Sequence, residues 1–578
     1  MSAERTVRLT VMGTTDLHGH VVNWDYFRNA EYDDYAHNAV GLAKVSTLVT
    51  AVRDRIAADP DAPRPLLLDA GDTIQGTPLA YYFARIEPIT GGRLHPMAGA
   101  MNAIGYDAAV LGNHEFNYGL DVLDTFQRQL DFPLLGANAQ DWTTGRPAFP
   151  PYELRRVDVP GAEPVTVGIL GLTNPGIAIW DKAVVENRLR FDGVVESATA
   201  WVPQVRAAGA DVVIVAVHSG MDLSSSYGDA LPVPENAAAL MAETVPGIDA
   251  VLVGHAHQEI PERLVRNRRT GEQVVLTEPL KFGMRLSLIH LDLSREQGRW
   301  TVVGRQAKVL NANLVDADPA VVELLEQDHD TVIEYVNSTI GTCTEAMSAA
   351  TAPWEATAAL DFVTFVEADA VAKALSGTPE AALPVLAIAA PFNRAAAIPA
   401  GDVSIRDVAG LYVFDNTLLA VTMTGTQVRE YLEFSAQYFR QVTGTGPFTS
   451  SQITNAPTPT APNGTPDYNY DIIGGLTEPL SYTIDIAKPP GSRITDLTYG
   501  GIPVAADQRF VVAVNNYRQS GGGNFPHITT APVVYNRQLE IRQLMIDHVT
   551  TTGTIDPTTF QPGTWTLVSS GTPVVVTS

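Results

Sequence analysis

Residues 108–115 read Ala-Ala-Val-Leu-Gly-Asn-His-Glu, an apolar run that ends in a glycine and continues into polar side chains. An apolar run of this length, bounded by glycine, is typical of a buried strand. Side chains at the carboxyl ends of several strands are where open α/β folds build their active sites. The chain therefore predicts an α/β fold with one polar site, because four more such runs precede aspartate or histidine: Val7–Met12, Leu66–Leu68, Val212–Val217 and Ala250–Val253.

The residue types after these runs predict a binuclear metal site. Carboxylates, imidazoles and one amide follow them: Asp16, His18, Asp72, Asn113, His218, His255 and His257. Such ligands suit two divalent ions, which can be zinc, manganese, iron or cobalt, and a carboxylate can bridge cations roughly 3.5–4 Å apart. We expect Asp72 to be the bridge, because it is central in the set and follows a glycine that permits a tight turn.

Two pairs of these residues have a spacing that favours chelation. Asp16 and His18 are separated by one residue, and so are His255 and His257. In extended backbone this spacing puts both side chains on one face, so each pair is expected to bind as a fork. A single histidine after a strand is most often structural. The metal-site hypothesis therefore depends on the order and type of the whole set.

These motifs resemble the signature of the calcineurin-type metallophosphoesterases. Over essentially its whole length the chain is similar to the bacterial 5'-nucleotidase and 2',3'-cyclic-nucleotide 2'-phosphodiesterase/3'-nucleotidase superfamily. The resemblance implies a four-layered α/β/β/α metallophosphoesterase domain at residues 5–316. It further implies an interdomain helix at 317–338, about which relatives rotate, and an α+β 5'-nucleotidase-type C-terminal substrate-binding domain at 339–578. The sequence Asp316-Ala-Asp-Pro319 indicates the start of that helix, which we expect to end near Asn337.

The resemblance also implies a role for each ligand. The first metal would be bound by Asp16, His18, Asp72 and His257. The second metal would be bound by Asp72, Asn113, His218 and His255. His114 would be the catalytic histidine, which stabilises the transferring phosphoryl group or assists the leaving oxygen.

Asn117 distinguishes two branches of the superfamily. In the 5'-nucleotidases, an aspartate stands three residues after the catalytic histidine and pairs with it. Here that position is Asn117, which can orient the His114 ring but supplies no charge. The run Asn-His-Glu-Phe-Asn-Tyr-Gly, residues 113–119, resembles the cyclic-nucleotide phosphodiesterase branch.

The C-terminal region has no comparable set of ligands but contains aromatic loops. By resemblance, two rings sandwich the nucleobase there; we expect Tyr517 as one ring and either Tyr468 or Tyr470 as the other. Stacking of this kind tolerates every base. Arg394 and Arg518 are candidates for phosphate or ribose contacts. Residues 443–466 are rich in Thr, Pro, Gly, Ser and Asn and predict a long loop, whereas a helix is expected at 357–375 and a strand at 385–390.

The composition excludes several classes of protein. A net charge of −26 over 578 residues argues against binding of a nucleic-acid polymer, which needs a basic face. The single cysteine excludes an intrachain disulfide, and no apolar run reaches the ~18 residues of a membrane span. The first residues lack the features of a signal peptide, although relatives of this family are mostly exported. We expect a monomer acting on a small nucleotide.

The expected activity is hydrolysis of 2',3'-cyclic nucleotides to 3'-nucleotides, followed by hydrolysis of 3'-nucleotides to nucleoside and phosphate. A 5'-nucleotidase or nucleotide-sugar hydrolase would use the same residues, and Asn117 is the main feature against it. A sulfur-metabolising hydrolase of the superfamily would have little use for base-binding loops. A nucleotide-binding protein with a vestigial site is the alternative of another class, and the complete ligand set argues against it. Cyclic dinucleotides stay open as substrates.

Overall fold

The computed structural model describes residues 6–34, 36–225, 231–296, 298–458 and 464–577. The chain divides into two compact units, of which the first contains Met1–Ser225 and Asp229–Ile333 and the second contains Glu334–Ser578. This division falls within the helix Pro319–Asn337, which begins at the proline that the sequence indicated. Among the described residues, no helix is both long enough and apolar enough to cross a lipid bilayer.

Two six-stranded sheets form the centre of the first unit. The first sheet contains, in spatial order, Arg299–Asn311, Arg285–Glu296, Thr6–Thr14, Leu66–Asp69, Ala108–Val110 and Leu134–Leu135. The second contains Glu259–Arg266, Gln273–Pro279, Ala250–Val253, Val212–Val217, Val165–Leu172 and Tyr152–Val157. The last four strands of the first sheet are parallel, and so are four neighbouring strands of the second. All five strands expected from the sequence are present, and parallel pairing brings their carboxyl ends to shared edges.

The strand Val212–Val217 shows how side chains alternate between two cores. Val212, Ile214 and Ala216 pack in a cluster to which both sheets contribute, so the sheets lie face to face. Val213, Val215 and Val217 pack on the opposite side, in a cluster that includes residues of the helix Val194–Ala207. Because both faces of this strand are buried, all of its residues are apolar.

Helices cover the outer faces of the two sheets, which completes the predicted α/β/β/α arrangement. Leu42–Ala57 packs against Arg285–Glu296 of the first sheet, and its apolar side chains recur every three or four residues on the buried side. Among the described residues, the α-helices of the first unit before Pro319–Asn337 are Leu42–Ala57, Pro78–Tyr81, Pro96–Ile104, Leu120–Gln129, Ile177–Trp180, Lys182–Val185, Val194–Ala207 and Ala238–Thr244.

The second unit contains two five-stranded sheets and is of mixed α+β type. One sheet contains Ile472–Gly475, Val385–Ala389, Arg509–Asn515, Thr417–Thr424 and Val533–Glu540. The other contains Ile502–Pro503, Ile494–Tyr499, Leu480–Asp485, Thr564–Ser569 and Thr572–Pro573. The α-helices of this unit, after the one at the division, are Ala358–Ala374, Ile405–Ala409, Gly425–Ser435, Ser450–Ile453, Asn516–Gln519 and Ile541–Thr552.

The Thr- and Pro-rich segment 443–466 is more ordered than the sequence predicted. It contains the short strand Phe448–Thr449 and the short helix Ser450–Ile453. Thr449 begins the helix with a capping box, because its side chain accepts from the backbone of Gln452 while the Gln452 side chain bonds back. Composition alone missed these elements, and residues 459–463 of the predicted loop lie outside the described residues.

Candidate active site: two groups of metal ligands

The strand-end residues of the first unit come together in two groups. Asp16, His18 and His257 form one group, and Asp72, His218 and His255 form the other; in each group the possible ligand atoms lie within 4.8 Å of one another. The sequence distributes these six residues over about 240 positions. Parallel pairing aligns the strand ends within each sheet, and packing of the two sheets face to face brings the two sets of strand ends together.

In the first group the protonation of His18 is fixed by its surroundings. His18 Nδ1 lies 2.9 Å from the carbonyl oxygen of Gln75, which can only accept, so Nδ1 carries the hydrogen. The neutral ring therefore directs a lone pair from Nε2 into the site. His18 Nε2 is 3.2 Å from His257 Nε2, a separation typical of two ligands that face one cation. Burial lowers the pKa of His18 to about 3, which favours this neutral form.

In the second group, hydrogen bonds to neighbouring residues also orient the histidine rings. His218 Nδ1 donates to the carbonyl oxygen of Ala70 at 2.8 Å, which directs Nε2 towards Asp72 Oδ2 at 2.9 Å. His255 Nδ1 lies 2.9 Å from the side-chain oxygen of Asn113, the amide ligand expected from the sequence. His255 Nε2 lies 2.7 Å from the carboxylate of Glu235. A carboxylate behind an imidazole ligand orients the ring and increases its basicity.

Asp72 lies between the two groups. Its Oδ2 is 2.9 Å from His218 Nε2 and 3.7 Å from His18 Nε2, so one carboxylate oxygen faces a histidine of each group. Its Oδ1 accepts the backbone N–H of His114 at 2.8 Å, which holds the carboxylate in place. Burial alone would raise the pKa of Asp72, but the neighbouring imidazoles of His218 and His114 outweigh this effect and keep that pKa well below its ordinary value. This position supports the bridging role proposed for Asp72.

The possible ligand atoms are arranged for binding divalent cations rather than for hydrogen bonding to one another. Asp16 Oδ1 has three imidazole Nε2 atoms around it, at 3.2 Å for His257 and 3.9 Å for both His18 and His218. Yet Asp16 Oδ1 has no hydrogen-bonding partner among the described residues, and His218 Nε2 faces the Asp72 carboxylate. Buried oxygen and nitrogen atoms that converge in this way are the arrangement expected of ligands for zinc, manganese, iron or cobalt.

The backbone at the ligands differs from the extended conformation that the sequence predicted. Asp16 and His18 have φ of 51° and 47°, and His255 and His257 have φ of 84° and 53°. The expectation of extended forks was therefore wrong: each pair adopts left-handed backbone, which non-glycine residues seldom occupy. Asp72 also has a positive φ, of 61°. Such strain is typical of active sites, where surrounding contacts hold it in place.

Glu115 is one of those contacts, and sequence reasoning missed it. Its buried carboxylate accepts the backbone N–H groups of Gly112 at 2.5 Å, Asp72 at 2.9 Å and Thr73 at 2.5 Å. It thereby ties the turn containing Asp72 to the turn containing His114. Glu235 was also missed, because it lies in a polar loop with no adjacent ligand in sequence.

His114 lies at the border of the first group. Its ring is 5.2 Å from the ring of His18, centroid to centroid, and is partly exposed. His114 Nδ1 is 2.6 Å from the side-chain oxygen of Asn117, the residue three positions on. The amide oxygen accepts, so Nδ1 donates and Nε2 is the nitrogen that can face a ligand.

In the second unit the predicted aromatic residues differ in their exposure. Tyr468 is 39% exposed and lies beside Phe414, with ring centroids 5.8 Å apart. Tyr517 is partly exposed, and its ring packs so close to Gly522 that a β-carbon there would come within 2.4 Å of it. Tyr470 is 1% exposed and stacks on Tyr438 at 4.8 Å. Its buried position argues against base stacking, so Tyr468 is the better of the two candidates.

Both arginines that were predicted to contact the substrate form ion pairs with aspartates of the protein instead. Arg394 pairs with the Asp467 carboxylate through Nε and Nη2, using the fork that a phosphate or ribose would need. Arg518 is 1% exposed and pairs with Asp471 at 2.7 and 2.9 Å. It also donates to the carbonyl oxygens of Tyr468 and Gly522, so it joins the two aromatic loops. The geometry supports a structural role for both arginines.

A four-layered unit with paired ligand groups at its strand ends defines a two-metal hydrolase. Two family models match the chain: calcineurin-like phosphoesterase over residues 9–259, and the 5'-nucleotidase C-terminal domain over residues 339–530. Calcineurin-like metallophosphoesterases use a centre of two metals, in agreement with the two groups found here.

Comparison with related proteins identifies the family more closely. The chain is 32% identical to the 2',3'-cyclic-nucleotide 2'-phosphodiesterase/3'-nucleotidase of Salmonella typhimurium, over 89% of this chain and 82% of that protein. It is also 32% identical to the trifunctional nucleotide phosphoesterase YfkN of Bacillus subtilis, over 96% of this chain but only 39% of that longer protein. The chain therefore belongs to the 2',3'-cyclic-nucleotide 2'-phosphodiesterase/3'-nucleotidase family of phosphoric ester hydrolases.

A solved structure agrees with the fold of the whole chain. The putative 5'-nucleotidase from Staphylococcus aureus, in complex with alpha-ketoglutarate, superposes with a TM-score of 0.74. The match covers 97% of this chain and 99% of that one at 24% identity, so the likeness concerns fold. It confirms the expected combination of a metallophosphoesterase unit with a 5'-nucleotidase-type C-terminal unit.

Proposed function

We propose that this protein opens 2',3'-cyclic nucleotides to 3'-nucleotides and then hydrolyses 3'-nucleotides to nucleoside and phosphate. The observation that carries the proposal is the pair of ligand groups with Asp72 Oδ2 facing a histidine of each, which suits hydrolysis at phosphorus. The relative from Salmonella, whose name states both activities, supports the choice of substrate. Both steps are displacements at phosphorus that differ only in the leaving oxygen, so one site can perform them.

The ligands proposed for the two cations are those expected from the sequence. Asp16, His18 and His257 would hold one cation and Asn113, His218 and His255 the other, with Asp72 shared. When bound, two divalent cations lower the pKa of a water molecule and offset the charge of the phosphate. Zinc, manganese, iron and cobalt all suit this set of ligands.

His114 is proposed to act on the substrate directly. Because Asn117 engages Nδ1, Nε2 is available to a phosphate oxygen or to the leaving oxygen. In the first step water adds to phosphorus, the bond to the 2'-oxygen breaks, and that oxygen takes up a proton. In the second step the 3'-oxygen leaves in the same way. A protonated Nε2 would stabilise the negative charge that develops in both steps.

The second unit is proposed to bind the nucleobase. Tyr517 and Tyr468 are the partly exposed rings on the two loops that Arg518 joins, and Phe414 lies beside Tyr468. Stacking on such rings contributes about 1–3 kcal/mol per base and accepts any base. We retain residues 5–316, 317–338 and 339–578 as the proposed functional division, with the middle segment as connecting helix.

The proposal is tested by comparing kcat/KM on 2',3'-cyclic AMP, 3'-AMP and 5'-AMP after loading with each of the four metals. We expect the first two substrates to exceed 5'-AMP by at least about tenfold, a difference of roughly 1.4 kcal/mol in transition-state stabilisation. A preference for 5'-AMP would contradict the proposal and favour a 5'-nucleotidase. Absence of turnover on all three by the metal-loaded protein would favour a nucleotide-binding protein.

A further inference from the structure

The segment that follows the strand Val165–Leu172 contacts the active site, although sequence reasoning assigned it no role. Trp180 ends the short helix Ile177–Trp180 and stacks on His255, with centroids 5.6 Å apart and planes inclined by 24°. The next residue, Asp181, accepts a hydrogen bond from Asn117 Nδ2 at 2.8 Å. Two consecutive residues thus reach a metal ligand and the partner of the catalytic histidine.

The start of this segment is built to hold that position. Asn174 accepts the backbone N–H of Gly176 at 2.9 Å. A β-carbon on Gly176 would lie 2.4 Å from the Trp180 ring, so the close packing of the ring requires glycine there. Asn174 also donates to the backbone of Glu235, whose carboxylate contacts His255. The segment therefore packs tightly onto the second ligand group.

A structural role in capping does not explain Asp181. It immediately precedes the helix Lys182–Val185, where an aspartate would ordinarily accept a backbone N–H of the first turn. Its side chain makes no such bond and turns to Asn117 instead. Asp181 is only 7% exposed, and its second oxygen has no hydrogen-bonding partner among the described residues. A buried carboxylate with one partner is costly to folding, which points to a functional reason for keeping it.

The sequence of hydrogen-bond donors and acceptors from Asp181 through Asn117 determines the tautomer and orientation of the His114 ring. An ionised carboxylate only accepts, so the Asn117 amide must present its NH₂ group to Asp181. The amide oxygen must then face His114 Nδ1, at 2.6 Å, which requires that nitrogen to donate. Nε2 is left as the atom that faces the substrate. Without the carboxylate, the amide could turn over and the ring would lose its fixed tautomer and orientation.

We propose that Asp181 is a positioning residue for phosphoester hydrolysis and acts on His114 through the side-chain amide of Asn117. The carboxylate that fixes the Asn117 amide is thereby supplied from 64 residues further along the chain. The proposal rests on the hydrolytic function proposed above but not on its nucleotide specificity. It is therefore tested with 4-nitrophenyl phosphate and bis(4-nitrophenyl) phosphate, which need no base-binding site.

The test is a double-mutant cycle on the metal-loaded, full-length protein. We expect Asp181→Asn to lower kcat about 10- to 100-fold with KM changed less than about twofold, as for other groups that orient an active-site histidine. In a His114→Ala background the same substitution should have no further effect, because its action passes through His114. The double variant Asn117→Asp/Asp181→Asn, which moves the carboxylate next to His114, should recover most of the lost kcat.

Asp211→Asn is the matched control, since Asp211 also accepts a hydrogen bond in this unit, from the backbone N–H of Thr166, but contacts no proposed ligand. Crystal structures of wild type and Asp181→Ala give a readout that is independent of turnover. The proposal expects the His114 ring to leave Asn117 or to adopt more than one orientation in Asp181→Ala. An unchanged ring, an unchanged kcat in Asp181→Asn, or an equal loss with and without His114 would overturn it. If wild type hydrolyses the aryl esters but no nucleotide, the proposed substrate fails while the role of Asp181 stands.

Discussion

At the scale of single residues, the proposed metal ligands have a strained backbone that hydrogen bonds hold in place. Asp16, His18 and Asp72 all have positive φ, which costs on the order of 1–3 kcal/mol per residue outside glycine. Backbone hydrogen bonds of 2.8 Å hold the first two, from Asp16 to Gly71 and from His18 to Asp72. Glu115 holds the third. The folded chain therefore fixes the ligand directions, so that cation binding requires little rearrangement.

The aromatic residues give a prediction at the same scale. Tyr517→Ala should raise KM for 3'-AMP by about 5- to 100-fold if its ring stacks on the base as proposed, because such a ring contributes roughly 1–3 kcal/mol. Hydrolysis of 4-nitrophenyl phosphate should stay within about twofold of wild type, since that ester has no base. Steady-state kinetics on both substrates measure the effect.

Tyr470→Phe is the control for that experiment. It keeps the buried ring that stacks on Tyr438, so both KM values should be unchanged. Loss of activity on both substrates in Tyr517→Ala would indicate damage to the fold and contradict a role in base binding. A raised KM for 3'-AMP in Tyr470→Phe would reinstate Tyr470 as a substrate contact.

At the scale of secondary-structure elements, the helix Ala358–Ala374 contains an ionisable group that affects stability. Glu367 is 1% exposed, and among the described residues neither of its carboxylate oxygens has a hydrogen-bonding partner. Burial and the nearby Asp471 carboxylate raise its pKa well above the ordinary 4.5. The folded protein keeps a proton that the unfolded chain releases above about pH 4.5. Stability from this group is therefore complete below that pH and is lost as pH rises towards the folded-state pKa.

Glu367→Gln should consequently stabilise the protein at alkaline pH. The neutral side chain has no proton to lose, so we expect the free energy of unfolding at pH 8 to exceed that of the wild type. The gain should shrink towards pH 5, and thermal unfolding at both pH values measures it. Glu355→Gln, at an exposed position, should change stability little at either pH. A gain in Glu367→Gln that is equal at pH 5 and pH 8 would contradict the assignment.

Arg518 is a buried charged residue that joins two loops. Its guanidinium is buried against Asp471 and bonds to carbonyl oxygens on two loops, so each hydrogen-bonding direction is used. The neighbouring carboxylate outweighs the effect of burial and raises the pKa of Arg518 above its ordinary value. Removing one member of such a buried pair typically costs about 3–5 kcal/mol. The contact therefore fixes the loops that present Tyr468 and Tyr517.

At the scale of the whole molecule, the parts that the sequence predicted are those encoded by local patterns. The run Val212–Val217 is apolar throughout because it contributes to two cores, and that pattern identifies a strand without structural information. The position of a candidate ligand directly after such a strand, such as His218, can be predicted for the same reason. The helix beginning at Pro319 is encoded by an equally local signal.

The parts that the sequence could not predict depend on distant contacts. Asp181 bonds to Asn117 across 64 residues, and nothing in either local sequence indicates the other. The burial of Tyr470 depends on Tyr438, so exposure could not be assigned from the loop alone. The left-handed backbone at His255 is likewise imposed by the surrounding fold, since histidine has no strong preference for it.

The metal content of the protein shows whether two divalent cations share Asp72 in the first unit, as we propose. Wild type loaded with manganese or zinc and freed of excess ion by gel filtration should contain about two ions per chain. Asp72→Ala should contain fewer than one and lose at least about 100-fold in kcat, because it removes the shared ligand. Fewer than one ion per chain in an active wild-type protein, or two ions and normal turnover in Asp72→Ala, would contradict the account.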